Sequence, residues 1–549
     1  MSALRELRVS FKVQSSKFKV ESGKCKVESD VSHSIRTAGE AVALTAEVEG
    51  GDFAADGQDL IYVRCRIVDA NGTQVRRARN KVSFSCEGAA KFLACDNGDH
   101  YTDELFTSDI TAKNAKDGFI LAAFRTGTIP GEAKITIKPE GLPVVSLTVP
   151  VGRAEDSRQA APFSLQAQID AAAANGGGRV VVPAGEYISD GPIRLRSNVE
   201  LHLAEGAKIV FSDDPEKYLP AVPTSWEGVE CLNYSPLVYA YGCTNVAITG
   251  KGTIAPKMDF WRTWFGHKGR GLRAATRKLY DWCSFNAPLA ERDLTKLPES
   301  NVRPHLIQFN RCANVRLEDF KIRESPFWTI HLYLCDGVVA RGLDVYAHGS
   351  NNDGIDIEMT KNVLVENCRF DQGDDAVVIK SGRNQDAWRL ACPSENIEVR
   401  NCTVVNGHVL LGIGSEMSGG VRNVYMHDCV LESEALRLFY VKVNERRGGF
   451  VENIRMENVK AKKVRWGVMA VETDVLYQWK DFPTHEVRVT PIRNLSMKNV
   501  AVDEAERLVD IRGDKRLPVD GITLENVRVV KALKPDRIEN AVNVRVNER

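Results

Sequence analysis

The sequence predicts an all-β protein, a right-handed parallel β-helix preceded by a small β-sandwich. Two observations predict it. Across residues 160–549 one short template recurs, an Asn or Gly followed by alternating apolar and polar residues. Across residues 33–153 apolar and polar residues alternate instead in separate short runs, with a turn signal about every ten residues.

The elements follow in chain order. Residues 11–30 read FKVQSSK-FKVESGK-CKVESD, a tandem near-repeat within a low-complexity leader (1–32) that is expected to be disordered and shows no signal peptide. The runs AVALTAEVEG, DLIYVRCRIVDANG, VSFSCEG, FILAAFRTG, AKITIKPEG and VVSLTVPVG then supply the strands of a sandwich. Within them, 56–72, 82–99 and 119–137 resemble the immunoglobulin-like domain that trails many bacterial β-galactosidases. That resemblance implies an accessory immunoglobulin-like β-sandwich. The stretch FSLQAQIDAAAANGGG (163–178) fits an amphipathic helix, with Ile169, Ala172 and Ala173 on one face, closing the first coil of the β-helix.

The template appears in SNVELHL (197), TNVAITG (244), ANVRLED (313), DGVVARG (336), KNVLVEN (361), ENIEVRN (395), RNVYMHD (422), ENIRMEN (452), RNLSMKN (493) and DGITLEN (520). From Asn314 the copies are spaced 23, 25, 34, 27, 30, 41 and 27 residues apart. One copy is one coil, longer spacings are loops, and only the stack buries the apolar faces.

Bulk properties exclude several function classes. Lys+Arg and Asp+Glu are both 73 in 549 residues, so net charge offers no attraction to nucleic acid or an anionic membrane. No apolar run reaches the ~18 residues of a membrane span. The 13 cysteines lack CxxC pairs, which argues against zinc; those at 312, 335, 368, 402 and 429 read as small buried apolar residues.

The chemistry lies in four places. Asn351-Asn352-Asp353 precedes Asp374-Asp375 by 21 residues, His408 follows 33 later, and Lys442 another 34 later. Each coil advances the chain by one strand spacing, about 4.8 Å, so these positions stack on one outer face. Three clustered carboxylates repel, and at least one retains a proton near neutrality. An acid and a base with room for water between them suit glycoside hydrolysis with inversion.

These motifs resemble those of glycoside hydrolase family 28, the polygalacturonases, where NTD, DD, GHG and RIK occur in this order. Here they read Asn351-Asn352-Asp353, Asp374-Asp375, Gly407-His408-Val409 and Tyr440-Val441-Lys442. The resemblance spans about 160–530. It implies Asp374 as general acid, Asp353 and Asp375 holding the water, His408 tuning the acid, and Lys442 on the substrate carboxylate. Further substrate contacts are expected from Tyr440, Arg383, Asn351, Glu416, Arg446 and His331.

Two positions depart from the family pattern: Val409 replaces a glycine and Tyr440 an arginine. Arg383, Arg446 or Arg447 is expected to compensate for the latter. The insertion 256–306, with Phe260, Trp261, Trp264 and Phe265 and many cations, is expected to wall off one end of the groove, its aromatics stacking on sugar and its cations holding carboxylates, and to favour exo cleavage of a pectic polysaccharide or oligogalacturonide. No cofactor, no metal and a monomer are expected, and the resemblance implies a periplasmic or secreted location. A rhamnogalacturonan galacturonohydrolase, a Ca²⁺-dependent pectate lyase and a non-catalytic glycan-binding β-helix are the alternatives.

Overall fold

The computed structural model describes residues 6–11, 31–49, 53–55, 57–99, 107–152, 164–265, 270–475 and 486–546. It divides into two units, 1–164 and 165–549.

In the first unit a four-stranded sheet contains Ala43–Glu49, Leu60–Val68, Phe119–Thr126 and Ala90–Asp96. A five-stranded sheet contains Phe53–Ala54, Val145–Gly152, Gly131–Pro139, Lys81–Gly88 and Ala112–Asn114. The period-two pattern places Ile61, Val63, Cys65 and Ile67 in one shared core with Val82, Phe84, Ile135 and Ile137. In the leader, Glu6–Phe11 pairs antiparallel with Val31–Arg36, a departure from the disorder expected there. The alternation of Leu7, Val9 and Phe11 with polar neighbours suits a strand. Residues 1–5 and 12–30 lie outside the described residues.

The second unit is a right-handed parallel β-helix. One interior column runs Val238, Ile307, Ile330, Ile355, Val377, Leu411, Phe439, Met469 and Val509, each paired with the next. All nine are buried, so the repeat's apolar positions form the core.

The asparagine that opens each repeat has a separate task. Asn198, Asn245, Asn314, Asn362, Asn396, Asn423, Asn453 and Asn494 all hold φ between 53° and 61°, the left-handed corner that asparagine tolerates. Their amides link coil to coil, as in Asn245 Nδ2 to Asn198 Oδ1 at 2.9 Å and Asn494 Nδ2 to Asn453 Oδ1 at 3.1 Å. Gly337 takes the same corner at φ 75° where the template reads Asp-Gly. Cys312, Cys335, Cys368, Cys402 and Cys429 are buried and form no disulfide.

Helix Leu165–Ala174 lies at the first coil, with Ile169 buried and Ala172 and Ala173 packed on the core. Between coils, the hairpin Val222–Trp226 and Val229–Asn233 joins the insertion's helix Arg270–Ser284 in a small separate core with Phe327 and Trp328. The hairpin covers neighbouring strands of the β-helix, where Ser225 donates to Glu358 at 2.9 Å.

Candidate active site

Ile355 pairs with Val377, an offset of 22. The ladder continues as Gly354 N–H donates to the Asp375 carbonyl at 2.9 Å. Asp353 therefore neighbours Asp375 one coil on, and Asn352 neighbours Asp374. The 21-residue spacing thus marks an offset of one position along the face. Gly354 is required by close approach, since a Cβ there would meet the Ala376 carbonyl at 2.5 Å. His408 reaches the same place because its N–H donates to the Asp374 carbonyl at 2.7 Å.

The side chains divide into an exposed pair and a buried floor. Asp374 (24% exposed) accepts from His408 (47% exposed), Oδ1 to Nδ1 at 2.9 Å. Asp374, Asp375 and His408 each place one polar atom within 4.8 Å of the others. A divalent cation would find ligands here, but His408 Nδ1 is committed to Asp374 and the lysines already supply positive charge. Asp353 (5% exposed) and Asp375 are buried behind the pair.

Lys380 stands in the floor. Its Nζ lies 3.1 Å from Glu416, 3.4 Å from Asp356 and 3.7 Å from Asp353, and 4.1 Å from the Trp328 ring centroid. Burial disfavours its charge, but Glu416, Asp356, Asp353 and Asp375 outweigh that and hold it well above the usual lysine range. Burial pushes Asp353 well above the usual carboxylate range, reinforced by Asp356 and Asp374. Burial also raises Asp356, against the pull of Lys380, and raises Asp375 against that of Lys442.

Asp374 behaves differently. Burial pushes it up, yet the His408 hydrogen bond and charge, with Lys442 and Lys380, bring it below its ordinary value. His408 is raised mainly by its bond to Asp374. Each shift follows from the other partner: the contact favours a charged carboxylate and a charged imidazole together.

The other expected site residues fare variously. Lys442 lies on the column of Gly414 and Glu472, and its charge acts on Asp374 and Asp375. Glu416 is buried, held by Lys380 and Arg383 and, at 2.9 Å, by Ser415. It belongs to the floor and does not meet the groove. Asn351 accepts from Arg303 at 3.0 Å.

Three expectations are corrected. His331 is fully buried, not groove-lining, because the hairpin covers its strand: its Nε2–H donates to Glu358 at 2.8 Å, while Nδ1 accepts from Gln308 at 2.8 Å. Arg383 is fully buried against Glu416, Glu227 and Tyr280, and Arg447 donates to the Ser415 carbonyl and Asn384, so neither replaces the missing arginine. Trp261 is fully buried in the main core and Phe265 lies beneath Arg303, so these aromatics pack rather than stack on sugar. Arg446 is buried as well. Tyr440 is buried and donates to Glu472 at 2.9 Å.

Sequence reasoning missed Asp356, Glu358 and Lys380. The strand Ile355–Glu358 alternates I-D-I-E, which ordinarily signals solvated acids. All three are buried, the hairpin meets Glu358 through Ser225, and burial raises Glu358 to about 7 despite that hydrogen bond. A group raised from 4.5 to about 7 contributes stability that is present below about 4.5 and lost as pH rises through about 7. The stability of Glu358→Gln relative to the parent should therefore improve by on the order of 3 kcal/mol between pH 4 and 8, read from denaturant melts at both ends.

The family model for glycosyl hydrolases family 28 matches residues 290–547, and that for glycoside hydrolase family 2 C-terminal domain 5 matches 44–148. A hyperthermoactive exopolygalacturonase from Thermotoga maritima is 37% identical, with a TM-score of 0.64 over 70% of this chain and 87% of that one. A probable polygalacturonase of Vitis vinifera is 26% identical over 378 residues, 66% of this chain and 69% of that protein. An exo-poly-α-D-galacturonosidase of Dickeya chrysanthemi is 25% identical over 334 residues, 57% of this chain and 54% of that protein.

Proposed function

The chain belongs to glycoside hydrolase family 28, and on that premise we propose that it is an exo-acting polygalacturonase, hydrolysing α-galacturonosidic bonds by single displacement with inversion. The observation that carries the reading is the division of the carboxylates: one exposed and paired with histidine, two buried behind it beside lysines. Asp374 alone is open to a leaving oxygen. It gives that oxygen a proton as the glycosidic bond breaks. Asp353 and Asp375 hold the water, and Asp375, the less raised of the two and drawn down by Lys442, takes its proton as the water oxygen bonds to the anomeric carbon.

We place the resting proton on His408, which the bond to Asp374 favours, and substrate binding moves it. Lys442 is one of the cations that keep Asp374 low. A substrate carboxylate on Lys442 neutralises that cation, so the shared proton shifts from the imidazole to the carboxyl that must donate it.

Exo action is supported by the wall. The insertion packs Phe265 against the coil preceding the acids, where a Cβ on Gly349 would meet its ring at 2.2 Å. Arg303 ties the wall to Asn351 and to the Ser350 carbonyl. A groove closed there admits a chain end. Digests of polygalacturonate should show one short product from the first minutes; an early ladder of mixed lengths contradicts exo action.

The substitution at Tyr440 favours a second reading, a rhamnogalacturonan galacturonohydrolase, and parallel digests of homogalacturonan and rhamnogalacturonan fragments separate the two. The enzyme is taken to work as a monomer in the periplasm or outside the cell, where pectic chains are met. No helix among the described residues is long and apolar enough to cross a membrane.

A further inference from the structure

The two departures from the family motifs touch each other. Val409 and Tyr440 pack together with Ala470 as a small buried apolar patch on the outer face. Above that patch lies a residue that no motif includes. Arg437 pairs in register with Val409, and Val409 follows Asp375 on the same column, as the pairing of Val377 with Leu411 sets. Arg437 thus begins two coils beyond Asp375, about 10 Å along the face.

Its side chain is directed by aromatic stacking. The guanidinium carbon lies 4.1 Å from the Tyr440 ring centroid and 4.5 Å from that of Trp466. Lys442 Nζ lies 5.8 Å from the same Tyr440 ring. The tyrosine that fills the arginine slot therefore holds an arginine from elsewhere in the chain, beside the motif's lysine.

Charge counting points the same way. Glu472 is the shared partner of Arg437, of Arg512 at 2.7 Å and of the Tyr440 hydroxyl. Burial opposes its charge, but these partners keep it below the usual carboxylate range. Arg512 also meets Asp474 at 3.3 Å, so two carboxylates face two guanidiniums, and Lys442, next to Glu472 on the column, adds a third cation. Arg437 is 11% exposed, and its Nε, though buried, has no hydrogen-bond partner among the described residues.

We propose that Arg437 binds the substrate's uronate carboxylate together with Lys442, taking over from the arginine absent at 440, and that Val409 and Tyr440 form the platform that aims it. The claim rests on the reading of the substrate as a galacturonide. A guanidinium fork offers two parallel donors to a carboxylate, which a lone lysine does not. On this account Val409 and Tyr440 are one coupled change that relocates a cation without losing it.

The test measures binding apart from turnover. In an Asp374→Asn background, Arg437→Gln should raise the Kd for trigalacturonate 10- to 100-fold by calorimetry. With Asp374 intact, Arg437→Gln should raise KM by a similar factor and change kcat less than about fivefold. Adding Tyr440→Arg to Arg437→Gln restores the family residue and should recover at least threefold of the lost affinity, a rescue that a merely structural clamp on Glu472 would not give. An unchanged Kd, or losses in kcat and KM together without rescue, overturns the proposal. Should Arg437→Gln lose its cooperative melt, Arg437→Lys decides instead: it keeps the charge toward Glu472 and should still weaken Kd at least threefold, and parent-like affinity overturns the proposal. A parent that binds trigalacturonate but does not cleave it contradicts the hydrolase reading alone; a parent that does not bind it contradicts both.

Discussion

Asp374→Asn is expected to lower kcat on oligogalacturonates about 10³-fold while substrate binding changes by no more than a few fold. The size follows from the role: a positioned general acid contributes about 10²–10⁴. The amide keeps the shape and can still face His408, but it has no proton to pass to the leaving oxygen. His408, whose Nδ1 lies 2.9 Å from the Asp374 carboxylate, then loses the group it tunes. A binder without catalysis would be unmoved by the change. The decisive pairing is steady-state turnover beside calorimetric affinity; near-parental turnover with intact binding would remove Asp374 from the chemistry.

Lys380→Met should have the largest effect on stability, a loss of about 3–5 kcal/mol, the usual cost of removing one partner from a buried ion pair. Lys380 faces Glu416, Asp356 and Asp353, all buried. Its own charge is present at every pH below the usual lysine value, because the acids raise it further. The loss depends on pH through those acids. Asp353 and Asp356 already lie well above the carboxylate range and take up protons as pH falls, which offsets the missing cation. The variant should therefore melt closer to the parent at pH 5 than at pH 8. A uniform small shift would mean that Lys380 is incidental.

Much of the fold was legible because each coil carries its own signals. The asparagine at the head of each repeat marks a left-handed corner, and the apolar residues two apart mark the core. A signal repeated in so many coils survives irregular loops. The gathering of Asp353, Asp374, Asp375 and His408 on one face was legible for the same reason, since a coil repeat turns sequence distance into height. The count of 21 instead of 22 shows the limit: spacing between motifs gives the coil, while register needs the hydrogen-bond ladder.

What covers the outer face was not legible. Ser225 meets Glu358 across 133 residues, and nothing in either segment announces the other. His331 therefore reads as a groove position, and Asp356 and Lys380 carry no sign in the sequence that they are buried. Arg383 and Arg447 lie near the motifs in sequence, yet buried partners claim both. Arg437, five residues before Lys442, was passed over because its role depends on stacking with Tyr440.

On the proposed mechanism hydrolysis is a single displacement, with water held by Asp353 and Asp375 and with Asp374 as the acid. Proton NMR of the first product formed from an oligogalacturonate tests this most directly. The β anomer should appear first and mutarotate to the α form. An α anomer appearing first, or a 4,5-unsaturated product absorbing in the near ultraviolet, would contradict it.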